Sequence, residues 1–77
     1  MVGRTEEREL ARLRHLLPHW IEHNAEHAVT FRRSAERARE LGLESFAEDI
    51  EEAAKRMEHS NQALAAAMEK LERIQTV

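Results

Sequence analysis

Apolar and small side chains recur along the chain at alternating steps of three and four residues, and few folds accommodate this spacing. Before residue 42 the steps run through Leu10, Leu13, Leu17, Trp20, Asn24, His27, Phe31, Ser34, Ala38 and Leu41. After it they run through Leu43, Phe46, Ile50, Ala53, Met57, Ser60, Leu64, Ala67, Leu71 and Ile74. Such steps place side chains on one face of an α-helix, as in the seam of a coiled coil. The sequence therefore predicts two long amphipathic helices.

The break between the two runs predicts how the helices are connected. Gly42 stands where a helix C-terminus favours a left-handed residue, and a connection this short favours antiparallel neighbours. Thr5 can cap the first helix. The expected fold class is all-α, an antiparallel two-helix hairpin in a single domain. Its expected bounds are domain 1–77, helix 5–41, turn 42–44 and helix 45–74.

Pro18 interrupts the first predicted helix and leaves two interpretations open. Proline removes a backbone donor and clashes with the preceding turn, so it either breaks a helix or kinks it. A short helix could end at Leu17, with a new one starting at Pro18. Alternatively, one helix continues and is kinked. The seam spacing stays in phase across Pro18, and leucine is a poor N-cap, so we favour a single helix kinked at Pro18.

The small size of the chain predicts self-association. A core formed by 77 residues rarely supplies more than about 3–5 kcal/mol, and there is no cysteine to add disulfide bonds. Each helix also carries apolar residues beside the seam. These flanking residues are Leu16, Ile21, Ala28, Ala35, Ala54, Ala63, Ala65, Ala66 and Met68. We expect a homodimer in which a second hairpin covers them to form a four-helix bundle.

Charge and hydropathy argue against several classes of function. The net charge of −3 does not favour a nucleic-acid backbone, and no apolar run approaches the length of a membrane span. The first twenty residues are charged throughout and lack a signal-peptide core. We therefore expect a cytoplasmic protein with no nucleic-acid or membrane partner. It lacks a phosphate-binding loop, a thiol nucleophile and an E-x-x-H motif, so we expect no enzymatic activity.

Four histidines in the first helix stand four residues apart and form the main candidate site. They are His15, His19, His23 and His27. Histidines four apart on a helix can chelate one divalent ion, and imidazole suits nickel, cobalt, zinc and copper alike. Because His15 faces largely outward, the expected metal ligands are His19, His23 and His27. Glu22 and Glu26 lean outward. We expect them to hydrogen-bond to a ligating imidazole or to contact a dimer partner, not to bind the ion directly.

Polar residues interrupt the predicted seam near its middle and give the histidines a possible setting. A turn near Gly42 pairs residues whose numbers add up to about 85. This register predicts a polar layer of Asn24, His27, Met57, Ser60 and Asn61, and it predicts the ion pairs Arg33–Glu52, Arg37–Glu48 and Arg12–Glu72. Buried polar groups need partners. They either satisfy one another and fix the register, or hold a bound group.

The motif L-L-P-H-W-x-x-H-N-x-x-H, from Leu16 to His27, resembles one in small uncharacterised helical domains of bacteria and archaea. Those domains are associated with nickel, cobalt or other metal-handling functions. The similarity extends through the alanine- and glutamate-rich second helix, whereas His15 and His59 lie outside it. The resemblance implies functional roles for His19, His23 and His27, supported by Trp20 and Asn24.

These observations lead to one main functional hypothesis and two rivals. The main one is a dimeric bundle that binds a divalent transition-metal ion for sensing, storage or delivery. The first rival is a structural or protein-interaction module whose polar layer sets register and whose histidines respond to pH between about 5 and 7. The second is a haem- or small-ligand-binding bundle with His27 and Met57 as axial ligands.

Overall fold

The computed structural model describes residues 3–74, which form two antiparallel α-helices joined by a tight turn. Helix α1 spans Arg4–Glu40 and helix α2 spans Glu44–Glu72. Residues 3–74 contain no β-strand, so the protein is an all-α two-helix hairpin, as the sequence predicted. The hairpin is long and thin, with Cα extents of 59 × 15 × 12 Å. No helix in the described part of the chain is long and apolar enough to span a membrane.

Helix α1 is continuous through Pro18, so the interpretation with two separate helices is wrong. The helix begins two residues earlier than a cap at Thr5 would allow, so the expectation that Thr5 caps it is also wrong. Gly3 is the N-cap, and its N–H donates to the Glu6 carboxylate at 3.3 Å. A glutamate three residues after the N-cap satisfies the otherwise unpaired backbone donor at that position. This pairing explains why the helix starts at Arg4.

The turn between the helices depends on Gly42, which has a φ of +81°. The Leu43 N–H donates to the Ala38 carbonyl and the Gly42 N–H donates to the Arg39 carbonyl, both at 2.9 Å. This pair of hydrogen bonds is the Schellman motif, which requires a left-handed residue after the helix. The prediction that Gly42 adopts this conformation is confirmed. The turn reverses the chain within three residues.

The buried seam between the helices is made mostly of alanine. Its fully buried members are Leu17, Ala28, Ala35, Ala38, Ala47, Ala54 and Leu71. Ala35, Ala38 and Ala47 form one cluster, with the half-buried Ile50 packed against it. Alanine at the contact points lets two helix backbones approach closely. The hairpin therefore packs tightly but buries few large side chains.

The seam follows a different frame from the predicted one: the set of residues that face the other helix is not the set expected from the sequence. Leu17, Asn24, Phe31 and Ala38 belong to both frames, but every position between them is shifted by one residue. Ala28 and Ala35, expected as flanks, are buried, whereas Trp20 and Ser34, expected in the seam, are exposed. Helix α2 shows the same shift: Ala47, Ala54, Asn61 and Met68 are more buried than their predicted counterparts Phe46, Ala53, Ser60 and Ala67. In α1 the shift brings Ala28 and Ala35 between the helices and leaves Trp20 outside.

The shift of frame also overturns the predicted ion pairs. The cross-helix pairs in the described residues are Arg32–Glu58 and Arg39–Glu51, and Arg12 pairs instead with Glu9 in its own helix at 3.0 Å. Arg39 also reaches Glu44 at 3.0 Å. The predicted pairs Arg33–Glu52, Arg37–Glu48 and Arg12–Glu72 are not formed.

The two long faces beside the seam differ in character. Residues that directly follow a seam position carry the cross-helix ion pairs, and we call this side the ion-paired face; its members are Arg32, Arg39, Glu51 and Glu58. Residues that directly precede a seam position lie on the other side, because each residue turns a helix by about 100°. We call it the open face; its members include Trp20, His23, His27, Ser34, Phe46, Ala53, Ser60 and Ala67.

Candidate metal centre

Three histidines and a phenylalanine form a continuous row of rings along α1. The ring centroids of His19 and His23 lie 6.2 Å apart, those of His23 and His27 4.4 Å apart, and those of His27 and Phe31 5.8 Å apart. The helix produces this row because residues four apart lie nearly above one another. His19 and His23 are exposed, whereas His27 is half-buried. The row thus leads from solvent toward the seam.

The closest contact in the row joins the Nε2 atoms of His23 and His27, which lie 2.9 Å apart. The planes of the two rings are nearly perpendicular, at 87°. As neutral imidazoles the two rings can share one N–H···N hydrogen bond, with the donor set by the tautomers. Both Nε2 atoms therefore point into the same small volume, which gives this pair a defined geometry.

The geometry of this pair matches chelation of a single ion. At a metal–nitrogen distance of about 2.0–2.1 Å, two imidazole nitrogens bound at a right angle lie about 2.9 Å apart, and at the tetrahedral angle about 3.3 Å apart. Rings that both point at such an ion have centroids about 4.5 Å apart at a right angle. The observed separations in the pair are 2.9 Å and 4.4 Å. His23 and His27 therefore need little rearrangement to bind one ion together.

His19 lies at the edge of the site rather than inside it. A shallow depression of about 120 Å³ is lined by His19, Glu22, His23 and Glu26. The two carboxylates thus share a surface with the two imidazoles, although all four residues are exposed. Carboxylate oxygens in this position can hydrogen-bond to a bound ion's water or to a ligating imidazole.

The predicted polar layer is only partly present. Asn24, His27, Met57 and Asn61 are half-buried, but Ser60 is exposed, so its expected place in the layer is wrong. The Asn61 side-chain amide donates to the Ile21 carbonyl at 2.9 Å, which makes it a direct hydrogen bond between the helices. Its Oδ1 atom is buried and has no hydrogen-bond partner in the described residues.

Within residues 3–74 no three His, Cys, Asp or Glu side chains are grouped closely enough to enclose a metal ion. A single hairpin therefore brings together two converging imidazoles and no third ligand. Two imidazoles on one helix form an open site, whereas tight sites commonly use three or four protein ligands. A site closed by three or four protein ligands therefore needs ligands beyond these two imidazoles.

Sequence reasoning found the histidines but missed two features of their setting. Phe31 extends the row of rings, although the sequence suggested only a core role for it. The continuation of the four-residue spacing from His27 to Phe31 was the available signal. The depression between the imidazoles and the carboxylates was missed because Glu22 and Glu26 were expected to lean away from it.

The fold and the site define a helical hairpin with an exposed pair of converging imidazoles. The sequence model of a family described as "Domain of unknown function (DUF8180)" matches residues 13–71, which is most of the chain. The protein therefore belongs to the DUF8180 family. The matched residues include the turn, most of both helices and the whole row of rings. No curated protein and no solved structure matches the chain.

Proposed function

We propose that this protein binds a divalent first-row transition-metal ion, with His23 and His27 as ligands and His19 beside them. The observation that carries the proposal is the 2.9 Å separation of the two Nε2 atoms. Neutral imidazole nitrogens at this distance can donate two lone pairs to one ion. Nickel, cobalt, zinc and copper all accept imidazole ligands.

The proposed role is metal sensing, storage or delivery rather than catalysis. The exposure of His19 and His23 lets an ion enter and leave without unfolding of the helix. Glu22 and Glu26 place negative charge beside the imidazoles and attract a cation to the depression. The site contains no group placed to activate a substrate, and we infer no reaction there.

The proposed functional unit is a homodimer that forms a four-helix bundle. Trp20 and Phe46, on the open face, are 40% and 56% exposed, respectively, although they are large and apolar. A second hairpin that covers the open face removes these side chains from water. We also propose that Pro18 kinks α1, because it cannot donate to the Arg14 carbonyl one turn earlier. A kink there changes the direction of the helix just before the row of rings.

Isothermal titration calorimetry with nickel, cobalt, zinc and copper salts tests the metal-binding proposal. The fluorescence of Trp20, the only tryptophan, gives a second readout one turn from His23. The double variant H23A/H27A should weaken binding at least about tenfold, equivalent to about 1.4 kcal/mol.

The matched control is the double variant H15A/H59A, which removes two exposed imidazoles outside the pair. It should leave the affinity of the tightest ion unchanged. Equal losses in the two variants would indicate general adsorption by histidines and contradict a specific site. Unchanged affinity in H23A/H27A would also contradict a specific site at these two histidines.

A second candidate function is a structural or protein-interaction module, and the hydrogen bond from Asn61 to the Ile21 carbonyl favours it. A polar contact of this kind can fix the register of two helices without binding anything. The two candidates differ in their thermal stability. Binding of a metal raises the melting temperature with ion concentration, whereas a purely structural module melts at the same temperature with or without the ion.

A further inference from the structure

We infer that the metal site is shared between two copies of this chain. In this arrangement two hairpins meet through their open faces, and each supplies His23 and His27 to one ion near the two-fold axis. The inference rests on the proposed function and adds the partner that completes the site. The occupant of the open face is thus a second copy of the same chain.

The imidazole pair lies on the same side of the hairpin as two exposed, bulky apolar side chains, those of Trp20 and Phe46. His23 directly precedes the seam residue Asn24, and His27 directly precedes Ala28. Trp20 and Phe46 stand in the same relation to the seam. Because consecutive residues turn by about 100°, these side chains all project from the open face. A molecule that covers the apolar residues therefore also covers the two imidazoles.

The cross-helix ion pairs lie on the opposite side of the hairpin. Arg32–Glu58 and Arg39–Glu51 pair across the helices on the ion-paired face. Ion pairs of this kind are stable in contact with water and need no covering protein. A second hairpin on the open face therefore leaves these ion pairs in contact with water, on the outer surface of a four-helix bundle.

The hairpin exposes more surface than a compact monomer of the same mass. The hairpin exposes 6142 Å², whereas a compact monomer of its 9.0 kDa mass exposes about 4,900 Å². A standard interface covers about 800 Å² on each partner, and a face 59 Å long and 15 Å wide is large enough for it. The alanine-rich seam leaves six large apolar side chains of the described residues exposed, Trp20 and Phe46 among them. A second hairpin on the open face brings the exposed area per chain close to that of a compact protein.

The imidazole pair lies near the middle of the paired region of the hairpin. The cross-helix contacts from Arg14 to the Ile74 carbonyl and from Arg39 to Glu44 lie near the two ends of the paired region. His27 lies halfway between Arg14 and Arg39 on α1. A two-fold axis at this level gives the greatest overlap of two open faces. Such an axis lies in the plane between the two hairpins and is perpendicular to the helices.

Only residues beside a two-fold axis meet their own copies. This axis therefore brings two His23–His27 pairs together.

The chemistry of the donor set supports the same arrangement. One hairpin supplies two converging imidazoles, and the described residues contain no third ligand grouped with them. Four imidazoles from two chains complete a four-coordinate site for a divalent ion. The ion then links the two hairpins, so metal binding and dimerisation stabilise each other.

Native mass spectrometry of the full chain with added nickel, copper, cobalt or zinc tests the inference. The expected species is a dimer that carries one ion per two chains. The informative variant is Phe46→Glu, since Phe46 lies on the open face at the turn end of the hairpin, far from the histidines. The variant should be monomeric and should bind the ion at least about 100-fold more weakly with both histidines intact.

The control is Val29→Glu, which changes a residue of similar exposure outside the open face. Val29 is 50% exposed and Phe46 is 56% exposed. Val29→Glu should remain a dimer with unchanged metal affinity. Circular dichroism of both variants should show the helical content of the parent chain, since neither side chain is buried. A second variant, Trp20→Glu, should reproduce the effect of Phe46→Glu from the other helix.

The outcomes separate this inference from the proposed function. One ion per chain, with unchanged affinity in the Phe46→Glu monomer, would overturn the shared site while His23 and His27 remained the ligands. In that case Glu22→Gln and Glu26→Gln would weaken binding, because the remaining ligands would come from the depression on the same helix. A dimer that carries only scattered, non-stoichiometric ions would overturn both proposals.

Discussion

The alanine seam makes Ala35 the most informative position for a stability measurement. Its side chain is completely buried, in a cluster with Ala38 and Ala47 and against Ile50. Replacement of Ala35 by leucine adds three carbons where two helices approach closely. Inserting methylenes into a packed core typically destabilises it by about 1–3 kcal/mol. Leucine is nearly as good a helix former as alanine, so the loss should come from packing alone.

The matched control for Ala35→Leu is Ala66→Leu, which makes the same change at an exposed position in the C-terminal third of α2. Substitutions at such positions usually change stability by less than about 0.5 kcal/mol. Urea unfolding followed by circular dichroism measures both variants at one fixed protein concentration, because a dimer melts at a temperature that depends on concentration.

In a domain of this size, 1 kcal/mol corresponds to about 4–8 °C in melting temperature. Ala35→Leu should therefore lower the melting temperature by at least about 4 °C.

Equal stability of Ala35→Leu and the parent chain would refute the observed seam frame. Under the frame predicted from the sequence, Ala35 is a flank and Ser34 occupies the seam. In that frame leucine at position 35 adds apolar contact area and leaves the helix spacing unchanged. The sign of the change at Ala35 therefore distinguishes the two frames without any structural measurement.

Two further substitutions test the turn and the contact between the helices. Gly42→Ala should destabilise the hairpin by about 1 kcal/mol, because the left-handed backbone at φ +81° disfavours a Cβ. This strain arises from the backbone alone, since no atom lies within 4 Å of the added Cβ. Gly42→Asn should destabilise the hairpin less, and urea unfolding of both variants measures the difference. Asn61→Asp should destabilise by about 1–3 kcal/mol, since it removes the donor to the Ile21 carbonyl, whereas the exposed Gln62→Glu should be nearly neutral in the same assay. Equal losses at positions 61 and 62 would mean that the hydrogen bond contributes nothing beyond charge.

The helical hairpin could be predicted from the sequence because the spacing and Gly42 point to the same fold. The seam frame could not, since both candidate frames share every alternate position, including Leu17 and Asn24. The predicted frame placed the bulkier side chains inside, as in a coiled coil with large knobs. The hairpin instead places Ala28 and Ala35 inside, because small residues let the two backbones come closer.

At the candidate site, too, the spacing of the residues predicted which side chains are neighbours, but the packing of the two helices determined which way they face. The four-residue spacing predicted that His23 and His27 would be neighbours, and they are in contact. Which way they face depends on the frame of the seam, so His27 lies at the border of the open face rather than opposite α2. Ser60 was assigned to the polar layer from the same wrong frame. The periodicity determines neighbours along a helix, but the choice of packing face requires the second helix.

The alanine seam also determines how the hairpin responds to temperature. Unfolding usually raises the heat capacity by about 12–15 cal/mol/K per residue, and most of the increase comes from newly exposed apolar surface. A seam of methyl groups exposes little such surface, so a single hairpin should fall below this range and its stability should change little on cooling. Two hairpins joined through Trp20 and Phe46 hide much more apolar surface. Their combined unfolding should therefore give a more strongly curved stability profile than a single hairpin would.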